Sequence, residues 1–301
     1  MTAAVGKSLD WGALAPLRLR ARGAADGLWS GAHRSIRRGS GVEFAGHRAY
    51  LPGDDLRFVD RHALMRHGEL VLREFETETD RSVKLVIDAT ASMGFRGSRA
   101  PGAKLAFASV VAAAVAWIAL RGGDRVALDW IGGKAPRPLP SAAGPQAFER
   151  LVAAMEAAEP GGQLTGEGLE AVLAKVERSA PRGAVTLLVS DLLDLPERSA
   201  ERIAALGARG RSLVVLQVLD PDEIDLPYTG PVRLQSLESD LVVDTDAPQV
   251  RAEYQAALAG LRESFQSELV QRGGRFLFDS TAEKPAAVVR RVLGIVAGGE
   301  R

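Results

Sequence analysis

The 301-residue sequence contains no cysteine, which removes disulfides, thiolate nucleophiles, zinc–thiolate sites and iron–sulfur clusters at one stroke. It has no charge to spare either. Thirty-eight Lys and Arg face 38 Asp and Glu, so no excess is left to drive bulk binding to nucleic acid or anionic lipid. Histidine is scarce: His33, His47, His62 and His67 all lie in the N-terminal part, irregularly spaced among arginines, and read as hydrogen-bonded or exposed side chains rather than metal ligands. Long hydrophobic runs are lacking. The longest, Leu105 to Leu120, is Ala-rich and bracketed by Lys104 and Arg121, whereas a membrane span needs about 20 strongly apolar residues. A buried helix is expected there. Met1 to Ala25 has no compact apolar stretch followed by a small-residue cleavage site, so no signal peptide is read and a cytoplasmic protein is expected.

What is present suits a globular chain with a substantial core, 46% hydrophobic and 25% charged. Residues 1–40 form a basic segment, part of a stretch to residue 50 with eight Lys and Arg against three Asp and Glu. It reads as a solvated arm or a donor of salt bridges to the main body. Residues 41–82 read as a β-rich lead-in, with a turn at Pro52-Gly53-Asp54-Asp55 and a strand-like alternation from Glu69 to Phe75. From 83 to 297, apolar strands alternate with amphipathic helices. Strands are expected at 83–88, 125–131, 134–139, 184–190, 212–219 and 275–278, and helices at 104–120, 145–158, 166–177, 197–208, 249–272 and 284–296. A hairpin is inserted near 231–244. This pattern predicts an α/β fold with a doubly wound, mostly parallel sheet.

In such a sheet ligands bind beyond the carboxyl ends of the strands, so the residues just after each apolar run carry the functional information. Three of these places are rich in oxygen. The first strand ends in Asp88-Ala89-Thr90-Ala91-Ser92, a later one in Ser190-Asp191, and Thr165 closes the loop Gly161-Gly162-Gln163-Leu164-Thr165 before a helix. Two carboxylates and three hydroxyls suit a hard cation, Mg²⁺ or equally Mn²⁺ or Ca²⁺. The hydroxyls of Thr90, Ser92 and Thr165 would bind directly without cancelling charge, while Asp88 and Asp191 would act through water. Alternatively Asp88 and Thr165 are helix or turn caps and Asp191 starts a helix.

The residues Asp88 to Met93 (DATASM), with Thr165 and Ser190-Asp191, resemble the metal-ion-dependent adhesion site of von Willebrand factor A domains, whose usual pattern is D-x-S-x-S, then Thr, then Asp. Here Thr90 replaces the first Ser and keeps a hydroxyl. The upstream run from Gly41 to Asp60 (GVEFAGHRAYLPGDDLRFVD), with Leu70 to Met93, resembles the domain-of-unknown-function 58 family, a branch of von Willebrand factor A-like proteins. Arg61 stands where members often have Trp. The resemblance implies a Rossmann-like von Willebrand factor A-like domain and a binding or adaptor protein rather than an enzyme. Its typical partner is a MoxR-type AAA+ ATPase, and its metal site takes a carboxylate from that ATPase or a client.

Other chemistries fail residue by residue. A haloacid-dehalogenase phosphatase needs a second Asp where Thr90 stands. Gly6-Lys7-Ser8 lacks the first glycine of a P-loop, and neither G-x-S-x-G nor H-E-x-x-H occurs. The cluster Arg48, Tyr50, Pro52, Asp54, Asp55, Arg57 and Asp60 reads as an internal ion-pair turn, with a docking surface as the alternative. A Mg²⁺-dependent phosphoester hydrolase using the same oxygens, or nucleic-acid binding through the basic N-terminus, are the competing functional expectations.

Overall fold

A computed structural model describes residues 17–26, 43–50, 59–60, 63, 65, 70–76, 82–134 and 136–298. The chain divides into two compact units, one of residues 30–80 and one of residues 1–29 with 81–301.

In the smaller unit, β1 (Glu43–Ala49) pairs antiparallel with β2 (Val71–Glu76), with an irregularity between Phe44 and Gly46. Val59 bridges to Leu72, which is buried, and Asp60 accepts the Ala63 N–H at 3.1 Å. The expected Pro52–Asp55 turn, the side chain of Arg57, and His33, His62 and His67 lie outside the described residues.

The larger unit opens with α1 (Leu17–Asp26), so part of the basic segment is helical. Ala21, Ala24 and Ala25 join the core, Arg18 donates to Glu149, and the Arg22 guanidinium lies 4.3 Å from the centre of the Trp117 ring. The main sheet begins with β3 (Ser82–Asp88), buried from end to end. Then come α2 (Lys104–Arg121), β4 (Arg125–Ile131), β5 (Leu139–Ala142), α3 (Pro145–Glu156), α4 (Gly166–Ser179) and β6 (Val185–Ser190). They are followed by α5 (Ser199–Ala204), β7 (Ser212–Leu219), α6 (Pro221–Asp225), β8 (Pro231–Gln235), β9 (Val242–Asp246), α7 (Ala247–Gln271), β10 (Arg275–Ser280) and α8 (Pro285–Gly298).

Six strands form one sheet in the order β10-β7-β6-β3-β4-β5, parallel throughout except for β5, which runs antiparallel to β4. Strand side chains alternate between faces, and both faces are covered, so the strands are continuous apolar runs. Val83, Leu85 and Ile87 belong to the core shared with α1, α2, α3 and α8. Val86 joins the opposite core, built with Leu169, Leu173, Ile203, Phe265 and Leu269 of α4, α5 and α7. The expected doubly wound, mostly parallel α/β sheet is what the chain forms.

Helix α2 is long and apolar enough to cross a membrane, but 89% of it is buried inside the protein, which makes it a core helix as its composition suggested. The strand expected at 134–139 is displaced to β5. Pro136 and Pro138 have no N–H to give a ladder, and pairing starts only at Leu139 opposite Leu128. The helix expected at 197–208 shrinks to α5 plus a 3₁₀ turn at Ala205–Gly207. Strands β8 and β9 form a separate hairpin with Leu241, Val242 and Val243 exposed.

Candidate functional site

The chain lays β4 and β5 on one side of β3 and then β6, β7 and β10 on the other, so the direction of winding reverses between β3 and β6. At such a switch point the loops leaving adjacent strands part and open a crevice at the carboxyl edge. Asp88 ends β3 and Ser190 ends β6, which puts both at this crevice.

Asp88 is 2% exposed and both of its oxygens are engaged. Oδ1 accepts the Thr90 N–H at 2.9 Å and the Thr90 hydroxyl at 2.8 Å, and Oδ2 accepts the Ser190 hydroxyl at 2.6 Å. The Thr90 and Ser92 oxygens are 3.1 Å apart, and Ser190 Oγ accepts the Leu192 N–H at 2.9 Å. Leu192 takes a left-handed φ of 58°, so the chain turns away after Asp191 instead of starting a helix there. Burial, and then the charge of Asp191, push the Asp88 carboxyl up to about 7 in spite of these hydrogen bonds. More negative charge converges here than hydrogen bonding balances.

Glycines fit the neighbouring loops against this cluster. Gly133, at φ 75°, leaves no room for a side chain: a Cβ there would sit 2.3 Å from the Ala89 carbonyl oxygen, and one on Gly132 would sit 2.6 Å from Thr90 Cγ2. The loop before α4 is tied in by backbone, Gly161 N–H donating to Ala89 O at 2.9 Å and Ala91 N–H to Gly162 O at 3.1 Å. Thr165 at the end of that loop is exposed and caps α4, its Oγ1 accepting the Gly168 N–H at 3.1 Å. An oxygen that accepts one N–H keeps a second lone pair, so the cap does not exhaust it. Asp88, Thr90, Ser92 and Ser190 are thus one hydrogen-bonded group, with Asp191 adjoining it, and Thr165 follows the loop whose Gly161 and Gly162 are bonded to Ala89 and Ala91.

Sequence reasoning missed what holds Asp191. Its Oδ2 lies 2.7 Å from Nζ of Lys104, the first residue of α2, and the same ammonium lies 2.5 Å from Glu223 Oε1. Lys104 is 0% exposed and Asp191 1%. Burial works against the lysine's charge, but Asp191 and Glu223 outweigh it and hold its proton above the usual range. Glu223 itself is raised by burial against the pull of Lys104. Glu223 belongs to a capping box on α6: Asp220 accepts the Asp222 N–H at 2.8 Å, and Glu223 Oε2 accepts the Asp220 N–H at 2.8 Å. Asp220 and Asp222 reach back to accept the N–H groups of Gly97 and Ser98, each at 2.8 Å, and Arg99 pairs with Asp222 at 2.6 Å. The available signal was Asp220-Pro221-Asp222-Glu223 directly after β7, the same strand-end position that revealed Asp88.

The donor set at the crevice is all oxygen, and its charge deficit at Asp88 matches a hard dication such as Mg²⁺. Asp88, Thr90, Ser92, Thr165 and Asp191 are the residues that could hold one.

Comparison with known proteins places the chain in a family. An uncharacterized protein of Mycobacterium tuberculosis is 30% identical over 254 residues, which is 83% of this chain and 78% of that one. Among solved structures, a von Willebrand factor type A protein from Catenulispora acidiphila is 14% identical with a TM-score of 0.46, covering 74% of this chain and 44% of that one. An aerotolerance-related membrane protein from Bacteroides fragilis is 13% identical with a TM-score of 0.46, covering 71% of this chain and 98% of that one. The cytoplasmic placement expected from the sequence does not stand beside such a neighbour and is withdrawn: a sequence without a recognisable span or signal does not assign a compartment. Residues 46–264 match the family described as "Protein of unknown function DUF58", a range that takes in β3, the crevice loops and the α6 capping box, and the chain belongs to that family.

Proposed function

We propose that this chain is a divalent-cation-dependent protein-interaction module, a von Willebrand factor A-like domain whose adhesion site consists of Asp88, Thr90, Ser92, Thr165 and Asp191. The observation that carries this reading is the buried Asp88 carboxylate, fixed by Thr90 and Ser190 and facing the charge of Asp191 at the switch point of the sheet. When bound, a Mg²⁺ ion, or Mn²⁺ or Ca²⁺ in its place, supplies a position that attracts a further carboxylate oxygen. The chain's own part is to leave that attraction intact. Thr90, Ser92 and Thr165 offer neutral oxygens, while Asp88 and Asp191 act through water and so temper the charge without cancelling it. An Asp or Glu of a partner completes the set. The partner class that the family resemblance suggests is a MoxR-type AAA+ ATPase, or a client protein that the pair assembles or matures. No turnover is assigned to the chain, which lacks a thiol and has Thr90 where a phosphatase of this strand-end type carries its second Asp.

Titration of Mn²⁺ into the wild type and Asp88→Ala should show saturable binding only in the former. Complex formation with a co-produced MoxR-type ATPase should weaken on adding EDTA and in Thr165→Ala. Loss of the α4 cap costs roughly 1 kcal/mol, so that variant stays folded. Equal Mn²⁺ binding by both proteins, or a complex indifferent to both EDTA and Thr165→Ala, overturns the reading. Phosphoester hydrolysis that disappears in Asp88→Asn replaces it with an enzyme.

A further inference from the structure

Lys104 stands in an electrostatically costly place. The first turn of a helix carries the positive end of its dipole, where an anion is favoured and a cation is not, and α2 is otherwise almost entirely apolar. Burying an ammonium and a carboxylate together also forfeits the hydration of both. A core helix gains nothing from opening this way. The placement is accounted for by what the ammonium touches: Asp191 at 2.7 Å and Glu223 at 2.5 Å.

Charge counting makes the arrangement specific. Asp88, Asp191 and Glu223 bring three carboxylates to the crevice and Lys104 brings one positive charge. Even without Asp220, which adjoins Glu223, the carboxylates outnumber the one ammonium. Both oxygens of Asp191 are spoken for, Oδ2 by Lys104 and Oδ1 by the Leu193 N–H at 3.1 Å. Of the two, only the ion pair is a cation's place.

Resting on the reading of the crevice as a divalent-cation site, we propose that Lys104 is its built-in competitor: the ammonium holds Asp191 when no ion is bound and sets the affinity for divalent cations by contesting that carboxylate. A site so arranged stays folded without metal. It binds the ion weakly by itself, so that a partner's carboxylate is needed to hold the ion firmly. Like charges repel and a freed Asp191 attracts, so removing the ammonium must tighten binding of a dication, by about tenfold or more in a water-poor crevice.

The test uses the full chain and Mn²⁺ as the probe, at fixed ionic strength. The dissociation constant is measured by titration for wild type, Lys104→Met, and Lys104→Met with Glu223→Gln, which removes the second stranded charge. Each is repeated with Asp88→Asn. Thermal melting is followed with and without Mn²⁺. The expected result is about tenfold or more tighter Mn²⁺ binding in the Lys104 variants, lost when Asp88→Asn is added, together with a melting temperature that Mn²⁺ restores in Lys104→Met and barely moves in the wild type. A structural lysine would give a melting loss that Mn²⁺ does not repair. If the wild type binds Mn²⁺ and the Lys104 variants bind no tighter, the competitor role fails while the metal site survives. If none binds, both readings fail. Lys104 variants that stay unfolded even in Mn²⁺ also overturn the proposal, because an ion able to take the ammonium's place must restore the fold.

Discussion

Among the described residues two lysines are buried, at opposite ends of the same sheet, and they meet opposite fates. Lys84 lies near the amino end of β3, 3% exposed, and its ammonium finds the neutral hydroxyl of Ser179 at 3.1 Å. Burial lowers its proton affinity, and the nearby Asp129 is engaged by the half-exposed Lys175 at 2.7 Å. Lys104, at the carboxyl end, is held by two carboxylates and gains proton affinity. Burial of a charge therefore does not mark a site. What differs between the two is the number of carboxylates that meet the ammonium, and in this sheet they converge where the winding reverses.

The largest way to break this contrast is to remove each ammonium. Lys104→Met strands Asp191 and Glu223 and should cost about 3–5 kcal/mol of stability, since truncating one member of a buried pair leaves uncompensated charge. Lys84→Met removes a desolvated cation whose bonded partner is neutral and should cost about 1 kcal/mol or less. Urea denaturation of both in metal-free buffer decides it. Equal losses would mean that the two ends do not differ.

pH sharpens the same point. The folded Asp88 carboxyl, at about 7, lies above its unfolded value of 3.8, so between these limits the folded state binds more protons than the unfolded one. The contribution of Asp88 to stability should then be greatest below about 4, fall as pH rises toward 7 by at most about 1.4 kcal/mol per unit, and level off above. Asp88→Asn should flatten the decline, and so should Mg²⁺, by favouring the ionised carboxylate. Parallel pH profiles of metal-free wild type and Asp88→Asn across this interval would contradict the charge surplus.

The smallest effect compares two turn glycines. Gly133→Ala, in the loop leaving β4, drives a methyl into the Ala89 carbonyl and should cost more than about 2 kcal/mol. Gly123→Ala, at the turn entering β4, has a φ of 89° and open space, so only backbone strain of about 1 kcal/mol applies. Melting temperatures of the two should rank in that order.

Much of this was legible in the sequence because its signals are local. A run of β-branched and apolar residues ending in Asp88-Ala89-Thr90-Ala91-Ser92 announces both a buried strand and the cluster of oxygens at its end. Lys104 was legible only as the bracket of an apolar helix, because its partners are 87 and 119 residues away and no periodicity links them. Strand β5 was misplaced because Pro136, Pro138 and Pro140 blur where the extended run begins to pair, which happens only from Leu139. Helix α6 was passed over although Asp220-Pro221-Asp222-Glu223 spells its cap, since five residues carry no helical period.

The loop from Gly97 to Arg99 has a consequence for recognition kinetics. Its amides are fastened by Asp220 and Asp222, and a Cβ on Gly97 would fall 2.4 Å from both carboxylates, so the segment is seated with no slack. For the protein-interaction role proposed above, a partner would meet a segment that has already lost its freedom during folding, and docking would not wait for it to order. Under the proposed interaction role, encounter at this edge would be governed by diffusion and charge, and selectivity by how long the complex lasts.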